Sequence, residues 1–346
     1  PAMTQHQITT PQELLDDSGR IIEEGYSTLP LQRYRRAAIR ASWLRIKEWD
    51  YYAVIDQTSG FGVTMTLADL GYVGLFALCL VDIKTGWWEQ VDTLALLPRG
   101  RTGLAESVDS DNVVEHTDAT LTLTAERSGD GRFLRFTSDA FPSVGPVSGE
   151  IALHQPADVA RMVIATSWEK QRTAFYYNQK INCMPAEGVV QVGSTPHAFT
   201  PDGSFGVLDW GRGRWTYRNR WYWASASGSI AGVRFGFNLG YGFSDRSSAS
   251  ENMVFYDGVA HKLNEVVFDY DPQDHLQPWR ITDDEGRLDL TFRPTLDRSG
   301  DTNLLLVRSV QHQPFGYYSG TAVLDDGTRV MIDELPGFIE DIYNRW

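Results

Sequence analysis

Beyond residue 50 the chain alternates apolar and polar positions with period two. Phe61-Gly62-Val63-Thr64-Met65-Thr66-Leu67 and Thr120-Leu121-Thr122-Leu123-Thr124-Ala125 each give one face to a core and the other to solvent or a lumen. Val73–Asp82 is apolar almost throughout, as expected of a strand covered on both faces. Further strands are predicted at 132–137, 147–153, 162–167, 174–182, 189–192, 206–209, 221–225, 232–239, 253–256, 259–262, 266–269, 288–293, 303–310, 315–324 and 329–333. Glycine-bearing turns separate them, and Tyr256-Asp257-Gly258-Val259 has the turn chemistry of a two-residue hairpin. Helical signals are few. Short helices are predicted at Pro11–Leu15, with Thr10 as cap, and at Ala157–Arg161, with a longer one at Gly337–Tyr343.

Many short strands and few helices predict an all-β chain of antiparallel barrels or sandwiches. A closed barrel of eight to ten strands takes roughly 150–180 residues, so 346 residues favour two. The expected division is an N-terminal extension over 1–50, a first barrel over 51–184, and a second barrel over 185–346 ending in the C-terminal helix. The seam is placed near Pro185.

Charge narrows the functional classes. Thirty-one Lys and Arg against 45 Asp and Glu give a net charge of −14, which disfavours nucleic acid as a partner. No apolar run reaches the ~20 residues of a transmembrane helix. The N-terminal residues, which resemble a tag remnant before Met3, lack the charged and apolar regions of a signal peptide, so the expected location is cytoplasmic. A basic segment containing Arg33, Arg35, Arg36, Arg40, Arg45 and Lys47 runs against the global charge. It reads either as an anion- or membrane-facing surface or as a solvated stretch paired with the acidic body.

Catalytic signatures with fixed spacing are absent. There is no P-loop, no complete dinucleotide fingerprint after Gly60-Phe61-Gly62, and no Gly-x-Ser-x-Gly elbow. Cys79 and Cys183 share no zinc spacing with a histidine, and Asp109-Ser110-Asp111-Asn112 lacks the glycine and glutamate of a calcium loop. The expectation is therefore no cofactor and no metal.

Aromatic density carries the candidate chemistry. The chain has 11 Trp, 15 Tyr and 16 Phe, and four of the Trp fall between Trp210 and Trp223. There Asp209 precedes Trp210, Arg212, Arg214, Trp215, Arg218, Arg220, Trp221 and Trp223. Rings and guanidinium forks of this kind build either a pocket wall around a carboxylate or a cation–π stack that plugs a barrel end. Alternation puts Trp221 and Trp223 on one face and Tyr222 on the other. Downstream, Glu251-Asn252 brings a carboxylate and an amide to a strand start. Asp269-Tyr270-Asp271 spaces two carboxylates for one face, Trp279-Arg280 repeats the ring–fork pair, and His312 precedes Phe315 and Tyr317.

Several blocks resemble the bacterial family DUF2804: Ile8-Thr9-Thr10-Pro11, Pro30-Leu31-Gln32-Arg33, Lys180-Ile181-Asn182-Cys183-Met184-Pro185, Phe205 to Gly213, Glu251-Asn252, Phe268 to Pro272, Pro278-Trp279-Arg280 and Asn344-Arg345-Trp346. More distantly that family is similar to the tandem lipocalin-like proteins that include carotenoid 1,2-hydratases and AttH-like proteins. The resemblance implies two calycin-type barrels and an apolar ligand. No motif of the hydratases aligns position by position, so none of their catalytic residues is carried over.

The combined expectation is a cofactor-independent acid–base enzyme of hydratase, lyase or isomerase type, acting on a small apolar or lipid-like molecule in the second barrel. Asp209, Glu251, His312 and Asp271 are the catalytic candidates. Arg214 or Arg220 is the expected orienting cation, with Trp210, Trp215, Trp221, Trp223, Asn252, Asp269, Trp279 and Tyr317 lining the site. A glycoside-active enzyme with paired carboxylates and a non-catalytic carrier of a hydrophobic ligand are the alternatives.

Overall fold

The computed structural model describes residues 5–156, 158–304 and 307–346. Its two large antiparallel sheets curl around separate cores. Along the first, the strands follow the order Trp87–Leu96, Val73–Asp82, Phe61–Asp69, Ile46–Asp56, Ser204–Arg214, Gln171–Val192, Val147–His154, Gly131–Ser138, Thr122–Ser128 and Asn112–Thr117; three short strands pair off this path. The second runs Val259–Lys262, Met253–Tyr256, Val233–Tyr241, Arg218–Ile230, Arg329–Arg345, Val307–Val323, Leu288–Leu304, Trp279–Asp283 and Val266–Asp269. Each is an unclosed barrel. In the first, the end strands meet through side chains, Thr93 Oγ1 lying 2.9 Å from His116 Nε2.

The expected hairpin is present. Asp257 and Gly258 both take positive φ, +49° and +80°, the twist that a two-residue turn between antiparallel strands requires. Among the described residues the only helical pieces are 3₁₀ turns at Arg36–Ala38 and Trp43–Arg45. In place of the helix predicted at Pro11–Leu15 stands a two-residue strand, Gln12–Glu13, parallel to Gln32–Arg33. Residues 158–161 form no helix, and Ala157 lies outside the described residues.

The C-terminal helix is also corrected. Gly337–Tyr343 belongs to the strand Arg329–Arg345, held between Arg218–Ile230 and Val307–Val323. An apolar run this short fits both periods, and pairing on two edges decides in favour of strand. Gly337 permits that close approach, because a Cβ there would meet Ser225 O at 2.5 Å.

Strand Gln171–Val192 runs unbroken through Pro185, and sheet membership changes between Arg214 and Arg218. Asp209, Trp210 and Arg214 therefore belong to the first sheet rather than the second. A bulge interrupts the register between Ile181 and Met184, where Cys183 adopts φ +59°. It turns Asn182 toward the second sheet, where its amide donates to Ser225 Oγ at 2.9 Å and Phe237 O at 3.1 Å.

Between the sheets lie two further apolar clusters. One joins Tyr51, Val81, Val207, Trp223, Phe315, Tyr317 and Phe338; the other joins Met162, Tyr176, Cys183, Trp215, Met253 and Phe255. The basic segment is paired with the body of the protein. Arg35 meets Glu13 at 2.9 Å, Arg36 meets the buried Glu48, and Arg45 reaches Trp346 O at 2.7 Å.

Candidate active site between the two sheets

Strand parity builds the site. Along Ser204–Arg214, Leu208 and Trp210 enter the first core, while Val207 and Asp209 face the second sheet. Opposite Asp209 in register stands Lys180. Its Nζ is 2.8 Å from Asp209 Oδ2 and 3.6 Å from the centroid of the Trp223 ring. Asn178, two residues earlier on the same face, donates to Asp209 Oδ1 at 2.6 Å. The cation that orients Asp209 is therefore a lysine. Arg214 instead donates to Thr173 Oγ1 at 2.6 Å, and Arg220 is spent on Asp341.

The second sheet supplies two more carboxyl groups. Trp223 Nε1 donates to Asn238 Oδ1 at 2.6 Å, and Asn238 Nδ2 donates to Glu251 Oε2 at 3.1 Å. Glu340 sits beside Trp223 in register. It accepts from Trp221 Nε1 at 3.1 Å and from Gln313 Nε2 at 2.8 Å, and the same amide reaches the Tyr51 hydroxyl at 2.9 Å. Gly240 leaves space for Glu251, since a Cβ there would meet its Oε1 at 2.6 Å.

Burial acts on the Glu340 and Glu251 carboxyls. Desolvation pushes the Glu340 carboxyl up to about 7, although the Trp221 N–H and the Lys180 charge pull it down; the Asp209 charge adds to the rise. Glu251 is raised for the same first reason, against the pull of Lys180 and Asn238. Tyr176 feels Asp209, Glu251 and Glu340 together, which, after burial, hold its hydroxyl well above its ordinary value. Three carboxyl groups and one lysine thus share a single buried interface.

An aromatic wall adjoins it. Trp215 contacts Trp49, Trp168, Tyr176, Trp221, Phe243 and Trp346 at centroid separations of 5.0–5.7 Å. The indole N–H groups of Trp215 and Trp346 are buried without an acceptor among the described residues. Trp221, Phe243 and Trp346 are half-buried and form the outer edge of the wall. Asp209, Glu251 and Glu340 are themselves only 6–7% exposed, and neither of two cavities elsewhere, beside Trp210 and over Thr122–Val189, includes them.

The remaining predicted residues scatter. Trp210 is buried edge-on to Tyr34 and Tyr177 with Arg212 over its ring at 4.0 Å, and Arg212 also binds Asp50 at 3.0 Å. This is the plug reading of the Trp–Arg block. Asn252 clasps a turn, accepting from Gly240 N and donating to Asn264 O. Asp269 is exposed, and its strand ends there, so Asp271 does not share its face; Asp271 opens a turn and accepts from Gln273 N at 2.9 Å. Tyr317 packs between the sheets beside Phe315.

Trp279 stacks on Tyr270 at 3.8 Å, at the far side of the second sheet. A separate cluster lies there. Asp341 accepts from Arg220 Nε at 3.0 Å and from the Tyr270 hydroxyl at 2.6 Å, with His275 Nε2 at 3.1 Å. His312 stacks on His275 and bonds Asp297 Oδ2 at 2.7 Å. Glu340 and Asp341 are consecutive residues, so the two clusters occupy opposite faces of one strand. His312 and Asp209 are not brought together.

Sequence reasoning missed Lys180, Asn178, Asn238, Gln313 and Glu340. Asn178, Lys180 and Asn182 recur at every second position of a buried strand, which was the readable signal. Glu340 was hidden by the helical reading of its segment.

Comparison with solved structures places the fold among tandem lipocalin-like proteins. An AttH-type protein from Nitrosomonas europaea is similar over 87% of this chain and 92% of its own, with 12% identity and a TM-score of 0.52. Kievitone hydratase from Nectria haematococca is similar over 87% of this chain and 88% of its own, with 11% identity and a TM-score of 0.50. CghA, solved with Sch210972, is similar over 99% of this chain and 97% of its own, with 11% identity and a TM-score of 0.50. No curated protein matches the chain. The family described as "Domain of unknown function (DUF2804)" matches residues 5–346, and the chain belongs to that family.

Proposed function

We propose that the protein is an acid–base enzyme of hydratase or lyase type that needs no cofactor and takes a small apolar molecule between its two sheets. The observation that carries this reading is the placement of the buried Glu340 carboxyl, held by Trp221 and Gln313, in one interface with the Asp209–Lys180 pair; burial pushes that carboxyl up to about 7, where a proton can exchange at neutral pH. Hydration needs a proton delivered to one end of a double bond and a water deprotonated at the other. Glu340 is the proton donor in this reading. Asp209, paired with Lys180, is the group that takes the water proton, and Glu251 is a third carboxyl acted on by the same lysine. Dehydration runs the same transfers backward.

Binding follows from the wall. Trp221 and Trp223 supply apolar faces, and the unpaired indole N–H groups of Trp215 and Trp346 supply donors for an oxygen on the guest. Admission requires the half-buried edge at Trp221, Phe243 and Trp346 to part. The hydratase-like structural neighbours support the same reaction class, and the buried, ring-lined setting favours an apolar guest over a sugar.

The test starts from what the protein carries when purified from cells. Its organic extract is identified by mass spectrometry and returned to the protein in ¹⁸O-labelled water. The expected result is incorporation of ¹⁸O by the wild type, and none by Glu340→Gln although that variant still binds the extract. A guest that binds but never exchanges oxygen indicates a carrier and rejects the enzyme; a carbohydrate guest rejects the apolar substrate class.

A further inference from the structure

We propose that His275, His312 and Asp297 form a binding site for a divalent transition-metal ion, zinc being the best fit, beside Asp341 on the second sheet. This stands apart from the interface carboxylates, on the other face of the strand that carries Glu340. One ring nitrogen from each histidine and one Asp297 oxygen lie within 4.8 Å of one another, so a common centre exists no more than about 2.8 Å from all three. By distance alone, a shift below about 1 Å per atom reaches the ~2.0–2.2 Å of a zinc bond.

Two further observations point the same way. Asp297 Oδ1 is buried and has no hydrogen-bond partner among the described residues, while its Oδ2 bonds His312. A buried carboxylate oxygen left unpaired is costly, and a cation satisfies it. Asp341, in turn, holds His275 Nε2 at 3.1 Å. Ligation through Nδ1 would keep that bond and complete the carboxylate–imidazole–metal relay that orients metal-bound histidines. Two imidazoles and a carboxylate leave a fourth position open toward solvent, on the half-exposed side of His312.

The stack of the two rings sets a specific requirement. They are parallel within 3° at 3.7 Å, and lone pairs lying in parallel, offset planes cannot both aim at one ion. One ring must turn. His275 is buried and pinned by Asp341, whereas His312 is 31% exposed at its side chain, so His312 is the ring that moves.

The full chain, stripped with a chelator, is titrated with Zn²⁺ by calorimetry, and Co²⁺ is added separately to record ligand-field bands. The expected result is one ion per chain with low-coordinate Co²⁺ bands. His312→Ala and Asp297→Asn should each weaken binding by more than the ~10–100-fold typical of losing an outer-shell partner. Both sites are partly exposed, and an unchanged thermal midpoint of the metal-free variants separates lost ligation from lost folding. Absence of saturable binding to the wild type overturns the proposal, as does affinity that survives unchanged in both variants.

Discussion

Replacing Lys180 by Met removes the only cation paired with Asp209 among the described residues. The lysine is 3% exposed and the aspartate 9% exposed at their side chains, so the lost charge is not replaced by solvent. Asp209 would keep one donor, Asn178, and Trp223 would lose the ammonium over its ring. Breaking a buried pair from one side costs about 3–5 kcal/mol, most of it the desolvation of the abandoned charge. The lost cation–π contact, about 2 kcal/mol when dry, overlaps that figure rather than adding to it. Removing the partner charge as well should return much of the loss, so Lys180→Met with Asp209→Asn should couple by about 2–3 kcal/mol. Urea unfolding of the wild type, both single variants and the double variant measures this, with Trp fluorescence and circular dichroism as independent probes. A single-variant cost below about 1 kcal/mol, with additivity within about 0.5 kcal/mol, would refute the claim that these charges form one buried unit.

Other outcomes follow from the same geometry. Because burial pushes Glu340 from an ordinary 4.5 up to about 7 in the folded state, that state holds the extra proton between those values. Stability therefore falls as pH rises through that window, by about 3 kcal/mol at most, and Glu340→Gln should flatten the slope. Lys47 and Lys262, lowered to about 7 by burial, act above that window with the opposite sign, so the effects separate. Trp221→Phe removes a donor from Glu340 and should move its titration further upward, read by NMR of the labelled carboxyl. Gly258→Ala places a side chain at φ +80° in the tight hairpin and should cost about 1 kcal/mol in thermal unfolding.

Much of the fold was readable because its strands alternate. Val73–Asp82, Met253–Tyr256, Val259–Lys262 and Val266–Asp269 appear with the predicted bounds, and Trp221 and Trp223 share the face that alternation assigns them. The limits came from tertiary pairing. Gly337–Tyr343 has an apolar spacing that suits helix and strand alike, and only its two neighbours select the strand. The change of sheet after Arg214 leaves no mark in composition, since Pro185 is accommodated within a continuous strand. Of the candidate site, Asp209, Glu251, Trp221 and Trp223 stand out in the sequence as costly residues in dense blocks. Lys180 and Glu340 meet Asp209 and Trp221 from strands remote in sequence, and no local spacing encodes that. His275 and His312 come together for the same reason.

Titration of Glu340 in the intact protein, followed through the ¹³C shift of its side-chain carboxyl, tests the proposed acid–base site most directly. The expected midpoint is near 7, dropping when the effect of burial is relieved by opening the interface in mild denaturant. A midpoint at the ordinary glutamate value in the folded protein would contradict it.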